Sequence, residues 1–114
     1  MSEIEQAIQH FSDLVNQNPD NAEAVMNLAW TFERQGDYDA AIAQFESALQ
    51  IDPSNHHALY GLGLTLLGHG DLDGAADVLA RTESLLDGVE NKSVLVVMAR
   101  QISALRYRMS QMAN

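Results

Sequence analysis

The stretch AEAVMNLAWTFERQGDYDAAIAQFESALQIDPSN, residues 22–55, decides how this chain folds. Its first half places Val25, Leu28, Ala29 and Phe32 at i, i+3, i+4 and i+7. Its second half places Ala41, Phe45, Ala48 and Leu49 at i, i+4, i+7 and i+8. Each set lies on one face of a 3.6-residue helix, so each half reads as a helix with a single buried stripe. Between them Gly36 supplies the positive φ that a tight turn needs. Pro53 ends the second helix, because it has no amide hydrogen to donate and its ring clashes with the preceding turn. The product is an αα-hairpin.

The same pattern recurs 34 residues later. Val25, Leu28, Ala29 and Phe32 return as Leu59, Leu62, Gly63 and Leu66, Gly36-Asp37 as Gly70-Asp71, and Ala41 and Phe45 as Ala75 and Leu79. One step backwards, Pro53, Phe45 and Ala41 land on Pro19, Phe11 and Ala7. A large residue, Leu-small and an aromatic on the first helix, then Ala-x3-Phe and a Pro, at a period of 34, is a repeat signature. The chain is similar to the tetratricopeptide repeat family over roughly residues 2–90. That resemblance implies an all-α solenoid of antiparallel helix pairs, used to hold other proteins.

In order, residues 2–18 form a half repeat of the second-helix type, with the stripe Ile4, Ala7, Ile8, Phe11, Leu14 and Val15. Its first-helix partner is missing, because the chain begins at the turn. Asp20 or Asn21 caps the next helix. Repeat one spans 22–55 and repeat two 56–89, where Thr82 replaces Ala48 and Asp87-Gly88 replaces the proline stop. Gly61, Gly63 and Gly68 weaken the fourth helix by up to about 1 kcal/mol each. Only Gly63 has an evident reason, close approach of paired helices. A last helix over 91–112 caps the solenoid. With two residues inserted in its loop, Leu95, Met98, Ala99 and Ile102 take the first-helix core positions, and a seam continues through Leu105, Met109 and Met112. The single domain, 1–114, thus has six helices, the first an orphan and the last a long cap.

At 114 residues, 46% of them hydrophobic, the chain suits one compact domain or short solenoid and is too apolar for disorder. The absence of cysteine excludes a disulfide framework, a thiolate metal site and a thiol nucleophile. No run is apolar enough to span a bilayer, and the opening MSEIEQAIQHFSDL is acidic and amphipathic, unlike a secretory leader. A soluble, cytoplasmic protein without a membrane partner is expected. Residues 1–91 hold sixteen acids against Arg34 and Arg81, net −14. The remainder holds Lys92, Arg100, Arg106 and Arg108 with no acid, net +4. The acidity keeps the solenoid soluble and argues against nucleic acid.

No catalytic constellation emerges, so an enzyme is not expected, nor a cofactor. His56 and His57 are adjacent, which on a helix sets them about 100° apart and prevents a shared metal. Asp71–Asp77 resembles a calcium loop but lacks the glycine at the sixth position (Ala76) and the glutamate at the twelfth (Thr82). Gly61-Leu62-Gly63 follows no strand, so it is no dinucleotide fingerprint.

The informative residues lie off the core stripe. On one flank of the first helices fall Met26, Trp30 and Glu33, then Tyr60, Leu64 and Leu67, then Val96, Arg100 and Ser103. The family resemblance implies that this flank lines a concave groove for peptides, joined here by Glu23, Asn27 and His57. The same stripe is equally compatible with packing between neighbouring first helices, or with cover by the chain's own C-terminal tail. The family's clamp for a C-terminal carboxylate needs Lys and Asn on this face, whereas Met26, Trp30, Gly61 and Leu64 occupy those stations. The clamp is therefore expected to be absent, and the ligand apolar, a helix whose basic residues reach Glu23 and Glu33. Adaptor function is the first reading. The second is self-assembly, the acidic first helix meeting the basic last one through contacts drawn from Ile4, Ile8, Leu105, Met109 and Met112.

Overall fold

The computed structural model describes residues 2–113, so the first and last residues of the expected domain lie outside it. Six α-helices follow in order: α1 Glu3–Gln17, α2 Ala22–Gln35, α3 Tyr38–Ile51, α4 His56–Gly68, α5 Leu72–Leu85 and α6 Lys92–Ala113. No strand occurs among the described residues.

Each helix begins on a side chain that accepts a hydrogen bond from the amide three residues on. Ser2 does so for Glu5, Asn21 for Ala24, Asp37 for Ala40, Asn55 for Ala58, Asp71 for Gly74 and Asn91 for Val94. Such a cap satisfies one amide that the helix leaves without a partner, worth about 1 kcal/mol. The Gly-Asp pair does two tasks at once. Gly36 (φ 85°) and Gly70 (φ 83°) take the left-handed conformation that closes α2 and follows α4. The amides of Asp37 and Asp71 then donate back to the carbonyls of Phe32 (3.0 Å) and Leu66 (2.8 Å). The same aspartates cap α3 and α5. Two residues therefore stop one helix and start the next, and the hairpin has no slack.

Each helix packs on the next, with α6 lying against both α4 and α5. The core stripe is buried as its spacing requires: Ala29, Ala41, Phe45, Ala48 and Ala58 expose no surface. Thr31, Thr65 and Thr82 are also buried, each hydroxyl donating to the carbonyl four residues back, at 2.8–2.9 Å. That bond is why Thr82 is tolerated where repeat one has Ala48.

Two expectations need correction. Asp87-Gly88 is a stop, but it takes the form of a short 3-10 turn, Leu86–Gly88, added to α5. In α6, Met98 and Ile102 are buried as expected, Leu95 is half-buried, and Ala99 is exposed. Ala29 and Gly63, the equivalents of Ala99, are buried in the paired hairpins. No second helix follows α6 among the described residues, so nothing covers Ala99.

Candidate peptide-binding face

The groove residues fall into three groups. Met26 and Trp30 on α2 are half-buried against the first core cluster, around Phe45. The Trp30 and Phe45 rings meet edge to face, centroids 5.2 Å apart at 87°. Both lie over Gly61, where an added Cβ would collide with the Phe45 ring and stand 2.9 Å from Trp30 Cζ2. Gly61 is thus the third wall of the aromatic pair, a reason that spacing along α4 gave no sign of. Trp30 is consequently neither free nor enclosed; one edge is core and the other is available.

Tyr60 and Leu64 on α4 are half-buried against the second cluster, which α6 supplies with Ile102 and Leu105. Leu67, expected in the groove, is 3% exposed, and Leu105, expected at an oligomer contact, is 1% exposed. Both are corrected for one reason: α6 lies on α4 and uses its seam to close the molecule on itself. Leu105 methyls come to 3.0 Å from where a Cβ on Gly63 would be. Met109 is half-buried against the same cluster, Met112 is exposed, and Ile4 and Ile8 on α1 are half-buried. Val96 and Arg100 are exposed on the side of α6 away from Met98, Ile102 and Leu105.

Polar residues frame this surface. Glu23 is exposed and Glu33 half-exposed on α2; half-buried Asn27 lends its carbonyl to Thr31. His57 is exposed overall, but its ring is partly covered and is tied across 44 positions to α6. Buried Gln101 places its carbonyl oxygen 3.1 Å from His56 Nδ1 and its amide nitrogen 3.3 Å from His57 Nδ1. The amide group donates and the carbonyl accepts, so His56 carries a proton on Nδ1 and His57 offers a bare one. Burial, then the charge of His56, pushes the His57 pKa below the usual 6.5. The two rings lie 4.1 Å apart rather than splayed, because both turn toward Gln101 from the first turn of α4. No group of three or more His, Cys, Asp or Glu side chains is placed to hold a metal among the described residues.

A depression of about 170 Å³ lies between α1 and an adjoining face of α2, lined by Glu3, Ile4, Ala7, Thr31 and Arg34. Met26, Trp30 and Glu33 do not line it.

Two sequence profiles described as Tetratricopeptide repeat match the chain, over residues 1–56 and 32–85, together most of its length. The chain belongs to the tetratricopeptide repeat family. Among solved structures it is similar to the TPR2B-domain:pHsp70 complex of yeast Sti1, at TM-score 0.84 and 22% identity over 96% of this chain and 84% of that one. It is also similar to the type III secretion translocator chaperone SycD of Yersinia enterocolitica, at TM-score 0.74 and 19% identity over 95% of this chain and 75% of that one. No curated protein matches the sequence. At these identities the two structures establish the repeat fold. Family membership makes the chain a protein–protein interaction module, and no helix among the described residues is long and apolar enough to cross a membrane.

Proposed function

We propose that the chain is an adaptor that holds an apolar helix or peptide of another protein against the flank of α2 and α4, with basic residues of the ligand reaching Glu23 and Glu33. One observation carries the reading. Met26, Trp30, Tyr60 and Leu64 stand partly exposed on successive first helices, where the fold gains nothing from leaving aromatic surface wet. Of the two similar structures, one is a complex with pHsp70 and one a translocator chaperone, which supports a protein ligand in general. A carboxylate tail is a poor candidate here. The flank of α2 and α4 carries Glu23 and Glu33, with Arg34, in the last turn of α2, as its one Lys or Arg. Acidic and apolar together favour a basic amphipathic ligand.

The test is titration of the only tryptophan, Trp30, by fluorescence with a synthetic Leu-faced, Lys-flanked helical peptide. Binding shifts the emission and shields Trp30 from acrylamide, which reaches it in the free protein. Leu64→Asp should weaken binding by about tenfold or more, the loss expected of a hot spot. A Glu-flanked peptide binding equally well, or a Trp30 inaccessible before any ligand is added, would refute the reading.

A further inference from the structure

Among the described residues, the two end helices of the solenoid lack a partner in complementary ways. In α3 the residues that face the partner first helix, Ala41, Phe45 and Ala48, expose no surface. Their equivalents 34 positions earlier in α1 are Ala7, Phe11 and Leu14, and all three are only half-buried. No residue of α1 is buried, although its apolar stripe is continuous from Ile4 to Val15. A first helix is what such a face packs against in α2–α3 and α4–α5, and α1 has none among the described residues. The stripe is flanked by exposed Glu3 and Glu5.

At the other end, α6 is a helix in the first-helix position with no second helix beside it among the described residues. Of the five exposed large hydrophobics in the described protein, four lie on it: Val96 (50%), Val97 (37%), Tyr107 (66%) and Met112 (41%). Leu105 of its seam is already used internally, and Met112 continues that seam, whereas Val96, Val97 and Tyr107 lie off it. Arg106 is committed to Glu83 at 2.7 Å, which leaves Lys92, Arg100 and Arg108 as the exposed cations of α6 without an ion pair among the described residues. Arg34, beside Glu3 in the depression, makes no ion pair with it and is the one cation near α1.

We propose that these ends meet: the exposed face of α6 in one copy packs on the α1 stripe of a second copy, completing a first-helix/second-helix pair and extending the solenoid head to tail. Charge selects this occupant over an α1–α1 contact, which would oppose Glu3 and Glu5 to their own copies. The contact uses neither Trp30 nor Leu64, so it stands or falls independently of the peptide groove.

Light scattering and sedimentation of the full chain at rising concentration test it. The expected result is a concentration-dependent rise above the 12.5 kDa of one chain, at least about tenfold weaker at about 500 mM salt than at about 50 mM. Arg100→Glu with Arg108→Glu, and separately Glu3→Arg with Glu5→Arg, should each give monomers, since all four side chains are exposed and their exchange leaves the core untouched. An equimolar mixture of the two variants should assemble again, because opposite charges then face each other at every contact. A wild type that stays at 12.5 kDa throughout overturns the proposal. So does an α6 variant that still associates, which would mean α1 pairs with itself, or a mixture that stays monomeric while both variants keep wild-type helicity.

Discussion

Gly61→Ala is the sharpest test of how the repeats stack. The added methyl enters the Phe45 ring and lies 2.9 Å from Trp30 Cζ2. Two effects oppose each other. Removing a glycine from a helix interior gains up to about 1 kcal/mol, while forcing a methyl into a packed core costs about 1–3 kcal/mol. The collision is with ring atoms of Phe45, which exposes no surface and has nowhere to swing. The steric cost therefore wins, leaving a net loss of about 1–2 kcal/mol, or about 4–10 °C in melting temperature for a domain of this size. Gly68→Ala is the matched control. It is exposed at the end of the same helix, and its nearest neighbour, the Tyr38 ring, would stand at 3.4 Å, an ordinary contact. That change should be neutral or stabilising by a few tenths of a kcal/mol. Urea denaturation followed by far-ultraviolet circular dichroism measures both, and Trp30 emission reports any displacement at Gly61. If Gly61→Ala is as stable as Gly68→Ala with unchanged Trp30 emission, α2, α3 and α4 do not converge there and the argument fails.

Two further outcomes follow from single contacts. Asn55→Ala removes the side chain that accepts from the Ala58 amide at 3.1 Å, so the urea midpoint should fall by the equivalent of about 1 kcal/mol, with Asn55→Asp recovering most of it. His57 has a folded pKa below 6.5, first through burial and then through His56, so its stabilising neutral form is complete above pH 6.5 and is lost as pH falls through the folded value. Between about pH 7 and about pH 5 the wild-type urea midpoint should therefore drop more than that of His57→Gln, and equal drops would show that the histidine is not responsible.

The hairpins were legible because their information is local and repeated. Gly36-Asp37 carries both the positive φ and the cap, and the stripe around Phe45 has the helical period. Gly61 was not legible, since its reason comes from Phe45 on α3 and Trp30 on α2, and no spacing within α4 encodes a neighbour's ring. The seam of α6 was readable as a seam but not by what it touches: a period identifies an apolar stripe and is silent about its occupant. The register places Met98 and Ile102 in the chain's own core and leaves Leu105 to a contact with another copy, and α4 and α5 take all three. The bridge of Gln101 to His56 and His57 had no sequence signal, because a polar contact spanning 45 positions leaves no pattern behind.

The position of α6 also bounds the adaptor reading. By burying Leu67 and packing against one side of Tyr60 and Leu64, it narrows the repeat-two end of the flank. What remains is the length of α2 and the partly exposed sides of Tyr60 and Leu64 on α4. Fourteen residues of α2 extend about 20 Å, room for a ligand helix of about four turns or an extended segment of about six residues. A contact of that length falls in the small, transient class of interfaces, below about 1,200 Å² in total. Its affinity must then come from a few anchors and not from area, which singles out Trp30 and Tyr60. Trp30 is suited to that task for a physical reason: Phe45 and Gly61 hold its inner edge, so it loses little conformational freedom when a ligand covers the outer one.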